Sequence, residues 1–203
     1  MGAGSRSFLS SLTHRGIYQT FSYGRVRSIA TDNRSYKSPR SVVDGTGKTM
    51  LGAEQKQWFK DTITTATEPV LIWVNENPWI SPPSQTQDYW GGYTTERTEL
   101  ANFIAASGKK LAIVSGDMHA LAADDGTNSP GGIPVFQAAA LRGSSSHKGG
   151  PYTYGPLPST VGLAVQQYGV MSVLDTGAEI ALRFTGHQAG GIAARTYTHT
   201  FSV

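Results

Sequence analysis

The residues best suited to chemistry lie in Leu111-Ala-Ile-Val-Ser-Gly-Asp-Met-His119. A short apolar run stops at Gly116 and is followed at once by Asp117 and His119. Such a run, bounded by small polar residues, reads as a buried strand. In an open α/β sheet, chemistry collects where strands end at their carboxyl edge. A carboxylate and an imidazole two residues apart, just past that edge, can face one cavity. Both are metal ligands, one a hard oxygen and one a borderline nitrogen. Gly116 allows a sharp turn and close approach to a ligand. Gly-Asp-x-His therefore points to a metal-centred hydrolytic site, against the plainer alternative of a loop aspartate beside a surface histidine.

The surrounding pattern supplies elements to hold these residues. Residues 17–23 and 25–30 read as two strands about a turn at Gly24. A helix is expected over Ala53–Thr64, with Trp58, Phe59 and Ile63 on one face and Glu54 at the positive end of its dipole. Pro69–Val74 is a buried strand leading into Asn75-Glu-Asn-Pro78. Residues 79–92 form a long loop, of a length that is usually functional or disordered. Thr94 or Thr95 can cap a second helix, running to about Ala106 and closed by Ser107-Gly108. The order strand, helix, strand, helix, strand predicts neighbouring parallel strands joined by right-handed crossovers. Beyond His119 the pattern changes. Ile133–Ala139 reads as a short strand, residues 142–162 as a Gly/Ser/Pro loop, 168–174 and 178–184 as a hairpin, and 196–203 as a last strand. The C-terminal third is thus antiparallel.

Composition narrows the class. The chain has 203 residues, a net charge of +3, 24 glycines, 10 prolines and no cysteine, which suits one loop-rich domain and removes disulfides and thiolate metal sites. Without a basic cluster interleaved with aromatics, nucleic acid is not expected as a partner. No apolar stretch is long enough to span a membrane, and the residues after Met1 lack the apolar core of a signal peptide. Serine-hydrolase chemistry finds no support: Gly-x-Ser-x-Gly is absent, and Ser115 sits on a strand with His119 too near in sequence to serve it.

Several segments in order resemble the C-terminal half of an alkaline phosphatase D (PhoD)-like metallophosphatase of the metallophosphoesterase superfamily. They are Tyr23-Gly-Arg-Val-Arg with Asp32-Asn-Arg-Ser-Tyr36, Met50–Trp58, Trp73-Val-Asn-Glu-Asn-Pro-Trp79, Trp90–Arg97 and Ser115–His119; Leu121–Asn128 and Lys148–Tyr152 match one branch. The resemblance implies part of a four-layer α-β-β-α sandwich with mixed sheets, spanning residues 17–203 after a poorly structured segment 1–16. It implies metal-dependent hydrolysis of phosphate esters, with calcium, iron or manganese as the metal and a small phosphate ester as substrate.

By this likeness Asp117 and His119 are metal ligands, Asp117 standing where the superfamily usually has a first histidine. Asn75 falls where another ligand would sit, and is either a ligand or phosphate contact or a strand-end turn former. Arg34 and Arg97 could neutralise phosphoryl charge, an arginine clamping phosphate through two parallel hydrogen bonds; for each, an internal ion pair is the alternative. Asp124 and Asp125 read as a cation loop or as a turn, Trp79 and Trp90 as packing or a substrate wall, Lys148-Gly-Gly-Pro as a basic lip or a surface loop. The family's N-terminal half carries the remaining ligands, and nothing before Ile17 can hold them. The chain thus reads as a truncated product, either completed by association with that half or serving as a non-catalytic binding module. Relatives are commonly exported, which implies an extracytoplasmic location.

Overall fold

A computed structural model describes residues 17–138, 140–141, 148–158 and 166–203. The segment 1–16 and, of the loop expected over 142–162, residues 142–147 and 159–162 lie outside them. Ten strands and two α-helices are present among the described residues, eight of the strands at positions expected from sequence. β1 (Gln19–Tyr23) and β2 (Val26–Ala30) form a hairpin around Gly24, whose φ of 57° is one that glycine adopts freely. α1 (Ala53–Thr65), β3 (Val70–Asn75), α2 (Thr94–Ser107) and β4 (Lys110–Ser115) come next, and α2 ends on Gly108 in the left-handed conformation.

α2 begins differently from expectation. Neither Thr94 nor Thr95 caps it through its own side chain. The carboxylate of Asp44, fifty residues earlier, accepts from the Thr94 N–H at 2.8 Å, from the Thr95 N–H and from the Thr94 hydroxyl. A distant loop thus supplies the acceptor that the first helical amides need.

β5 (Ala120–Asp124) follows β4 directly, and β6 (Val135–Gln137) is the short strand expected within 133–139. β7 (Tyr154–Pro158) lies inside the segment read as loop. β8 (Gln167–Asp175), β9 (Glu179–Gln188) and β10 (Ile192–Ser202) complete the chain.

β1 to β7 make one mixed sheet in the order β1-β2-β3-β4-β6-β5-β7; β8 to β10 make a separate antiparallel sheet in the order β10-β9-β8. β2, β3, β4 and β6 are parallel neighbours. Strand alternation sends one set of side chains to each face of the large sheet. Val70, Ile72, Ala112, Leu121, Ala123 and Phe136 meet Ile180, Leu182 and Phe184 of the small sheet. Ile29, Leu71, Trp73, Leu111, Ile113 and Val135 meet the helices and the 79–93 segment. Trp73, Trp79 and Trp90 are fully buried and pack edge to face, with centroids 5.1 to 5.9 Å apart, so packing is what the two loop tryptophans do. Three layers are present among the described residues: helices, large sheet and small sheet. The second helical layer of the expected sandwich is not among them.

Candidate functional site at the carboxyl edge of the large sheet

Four parallel strands end in a polar row. Asn75, Ser115 and Gln137 are register partners across β3, β4 and β6, so their side chains share one face, the helix-facing one. Thr31 extends the row past β2, its N–H bonded to the Val74 carbonyl at 3.2 Å. These residues are buried, and their bonds form a chain. The Trp73 indole donates to the Thr31 hydroxyl at 2.9 Å, which donates to Asn33 Oδ1 at 3.0 Å. Asn33 Nδ2 donates to Asn75 Oδ1 at 2.6 Å, and the Trp90 indole donates to the same oxygen at 3.0 Å. Three atoms of this layer, Asn77 Nδ2, Ser115 Oγ and Gln137 Oε1, have no partner among the described residues, and buried polar atoms of that kind commonly hold ordered water.

Above the row runs the loop that carries Asp117 and His119. β5 is not a neighbour of β4, because β6 lies between them; the loop 116–119 therefore crosses the end of β6. Gln137, wholly buried at that end, donates Nε2 to the Gly116 carbonyl at 2.5 Å. Met118 is fully buried, while Asp117 and His119 on either side of it are partly exposed. Both have positive φ, 62° and 60°. That region costs a non-glycine residue roughly 1–2 kcal/mol, and such costs gather at functional loops.

The Asp117 carboxylate pairs with Lys148, whose Nζ stands 3.2 Å from each oxygen. The Lys148 N–H also bonds to the Met118 carbonyl at 3.3 Å. Around this pair lies a rim of alternating charge. Arg34 approaches Glu76 at 3.8 Å and Asp88 at 3.6 Å. Lys37 donates to the Asp88 carbonyl at 2.8 Å. Burial holds the Lys37 ammonium below its usual range, with Arg34 adding repulsion against the pull of Asp88, Asp117 and Glu76. The Tyr89 hydroxyl is pushed up by burial and by Asp88 and Asp117. Glu76 is pushed up by burial and by the nearby Asp32.

The five residues singled out from sequence do not all converge. Asp117 and His119 share the loop that crosses from β4 over the end of β6, and Arg34 belongs to the charged rim. Asn75 plays a structural part. It is 1% exposed, its oxygen takes two donors, and its Nδ2 donates to the Asn77 carbonyl at 2.9 Å. Both lone pairs of that oxygen are used, so it ties the segment after β2, the end of β3 and Trp90 together. Arg97 is also buried, and its Nη1 donates to the Trp79 and Ser81 carbonyls at 3.1 and 2.7 Å and to Ser81 Oγ at 3.1 Å. It fixes the 79–81 turn. The Ile80 carbonyl of that turn accepts the Gly150 N–H at 2.9 Å, and a Cβ on Gly149 would collide with the same carbonyl. Arg97 thus supports, from behind, the segment that presents Lys148. The sequence pattern does not single out Lys37, Asp88, Tyr89 or Gln137. For Lys148 the available signal is the Gly149-Gly150 pair beside it, since adjacent glycines mark close backbone approach.

Asp124 is also explained. It is fully buried and accepts from the Gly126, Asn128 and Thr153 N–H groups and from Asn128 Nδ2 at 2.8 to 3.0 Å. Four donors on one carboxylate make a turn lock, which answers the choice between turn and cation loop in favour of the turn.

A metal centre needs three or more donors, and a two-metal site a bridging carboxylate. Among the described residues no three His, Cys, Asp or Glu side chains come together to hold a metal ion. Asp117 and His119, the two ligands expected from sequence, lie on one loop, and Lys148 already neutralises the first. The described residues do not form a complete metal centre.

Comparison with known proteins agrees with this architecture. The model of the PhoD-like phosphatase family matches residues 6–171. Alkaline phosphatase D of Bacillus subtilis (strain 168) is 26% identical over 123 residues, covering 51% of this chain and 21% of that protein. A solved structure of PhoD superposes with a TM-score of 0.54 at 19% identity, covering 88% of this chain and 43% of that one, and shows the shared fold. A Vps29 structure from Entamoeba histolytica reaches a TM-score of 0.27, too low to carry an argument. The chain therefore spans about a fifth of the length of the curated relative and less than half of the solved one. With the family model covering most of its residues, the chain belongs to the PhoD-like phosphatase family.

Proposed function

We propose that the carboxyl edge of the large sheet takes part in hydrolysis of phosphate esters, with Asp117 and His119 contributing to a cation site and Arg34 and Lys37 facing the anion. The observation that carries this reading is the crossing loop. It brings a carboxylate and an imidazole, both held at positive φ, to the ends of neighbouring parallel strands in a phosphatase family. Calcium, iron and manganese are the candidate metals, and an oxygen-rich edge suits a hard cation. Lys148 holds Asp117 in place as an internal counter-ion. Arg34 and Lys37 offset the charge of Glu76 and Asp88 and keep the edge able to accept a phosphoryl group. Asn75 and Arg97, named as catalytic from sequence, serve as positioning residues.

The incomplete donor set favours a second reading, in which this chain is a non-catalytic module or is completed by another polypeptide, of the kind found in the remainder of a PhoD-like chain. The three layers described then form part of the four-layer sandwich. The two readings separate in one experiment: hydrolysis of an aryl phosphate monoester and diester by this polypeptide with calcium, iron or manganese, beside His119→Ala. Turnover that disappears in the variant supports the first. Absence of turnover with every metal, or turnover that survives the substitution, removes it and leaves the second.

A further inference from the structure

Six buried polar side-chain atoms have no hydrogen-bond partner among the described residues. Two of them, Arg27 Nε and Glu68 Oε2, face each other in an ion pair at 2.9 Å. Gln167 Oε1 lies apart, on a residue whose N–H and Nε2 are spent on the Ala140 and Leu157 carbonyls. The other three, Asn77 Nδ2, Ser115 Oγ and Gln137 Oε1, gather beneath the arch of residues 116–119. Ser115 and Gln137 are register partners on β4 and β6 and share the helix-facing side. Two contacts bring Asn77 to them. Its carbonyl accepts from Asn75 Nδ2 at 2.9 Å, and Asn75 is the register partner of Ser115 on β3. The Glu76 carbonyl, one residue earlier, lies so near Gly116 that a Cβ there would stand 3.3 Å from it. Asn77 and Gln137 are 0% exposed and Ser115 4%. Buried polar atoms are nearly always satisfied, so three in one place point to a ligand.

We propose that Asn77, Ser115 and Gln137 form a binding site for one resident water molecule. The chemistry of the three atoms selects it. Asn77 Nδ2 can only donate, Gln137 Oε1 can only accept, and the Ser115 hydroxyl does both. A bare cation would meet the Asn77 hydrogens, and an anion would meet the Gln137 oxygen. A small neutral molecule that both donates and accepts suits all three. Water accepts from Asn77 and donates to Gln137 and Ser115, and three bonds are the usual number for an enclosed water. The spacing agrees. Neighbouring strands stand about 4.8 Å apart, too far for a side chain as short as serine to bond directly, while two bonds of about 2.8 Å through one oxygen cover that span. The Gln137 Nε2 holds the Gly116 carbonyl at 2.5 Å, so the water joins the loop after β3 to the loop that carries Asp117 and His119. The inference stands apart from the phosphatase reading, since it invokes neither metal nor substrate.

Water–protein Overhauser spectroscopy on the isotope-labelled whole chain tests this. Cross-peaks from water to the side-chain amide hydrogens of Asn77 and Gln137 are expected, with opposite signs in the laboratory and rotating frames, the signature of a water that tumbles with the protein. A serine hydroxyl exchanging with solvent can imitate them. Ser115→Ala removes that hydroxyl and leaves Asn77 and Gln137 to hold the water, so the cross-peaks should persist. Ser115→Val fills the site with two methyl groups and should abolish them at both residues. Absence of cross-peaks in the unaltered protein, their loss in Ser115→Ala, or their survival in a folded Ser115→Val would each overturn the proposal. Should the valine chain fail to fold, the alanine chain alone decides.

Discussion

The side-chain amide of Gln137 holds the backbone carbonyl of Gly116 at 2.5 Å, and the next residue along is Asp117. A glutamine at the end of one strand thereby fixes the loop that leaves its neighbour. The same Nε2 also reaches the Ala138 carbonyl at 3.2 Å, so two orphan acceptors depend on one buried amide. Gln137→Ala is expected to cost about 1–3 kcal/mol, the penalty for leaving buried polar groups unsatisfied, read from urea unfolding. Hydrogen exchange at residues 117–119 should accelerate more than at β3. Uniform acceleration over the sheet would show that the amide supports stability without holding the loop.

Asp44 governs the start of α2 and gives a pH signature. Burial raises its carboxyl, but hydrogen bonds from the Thr94 hydroxyl and from the Thr95 and Thr94 amides outweigh that, and the net shift is downward from 3.8. A depressed native value means that the stabilisation is complete above the unfolded value and is lost as pH falls through the folded one. Asp44→Ala should cost about 1 kcal/mol at neutral pH, as lost N-caps do. The gap between variant and parent in thermal midpoint should close as pH falls well below 3.8. A gap that persists there would mean that the carboxylate charge is not what matters.

Glu96 sits 2% exposed inside α2 and reaches back to the chain before α1. It accepts from the Thr49 hydroxyl at 2.6 Å and from the Met50 amide, and Lys56 lies 3.5 Å away. Glu96→Ala removes the acceptor for three groups at once and should cost about 3 kcal/mol or more. Glu96→Gln, which keeps one acceptor oxygen, should lose less. Denaturation midpoints in the order parent, glutamine, alanine would confirm this; equal losses in the two variants would contradict it.

Lys148 and a divalent cation compete for the same carboxylate. Removing the ammonium should leave Asp117 more available, so Lys148→Met is expected to bind manganese up to roughly five-fold more tightly, the equivalent of about 1 kcal/mol for a partly exposed ion pair. Titration calorimetry with the metal alone reads this without any activity. Asp117→Asn in the same background should abolish the gain, and an unchanged gain would place the cation elsewhere.

Much of this architecture is legible in the residues themselves. Val70–Asn75 and Lys110–Ser115 are apolar runs with β-branched residues, and both helices carry spaced apolar faces with a breaker beyond. The strands that the pattern hides are those whose composition argues against them. β5 reads Ala-Leu-Ala-Ala-Asp, and alanine has little preference for a strand; only its burial between β6 and β7 makes it one. β7 contains two prolines, tolerated because it lies at an edge. At the site, the Gly-Asp-x-His spacing is visible because its partners are adjacent in sequence. Lys37, Asp88 and Gln137 are not, because each reaches the edge through a different loop or strand and no local pattern marks it. Local pattern does not distinguish the roles open to Asn75 and Arg97 for the same reason. A polar residue at a strand end looks alike whether it faces a ligand or closes a hydrogen-bond chain.

The placement of β6 has a consequence for assembly. β5 is synthesised before β6, yet it joins the sheet through β6, with β4 on the other side. Until residues 135–137 enter, β4 and β5 flank an open slot, and the loop between them spans it with nothing beneath. β6 therefore acts as a keystone. The Asp117–His119 arch rests on the end of that strand, so the shape of the candidate site depends on residues 135–137 lying between β4 and β5.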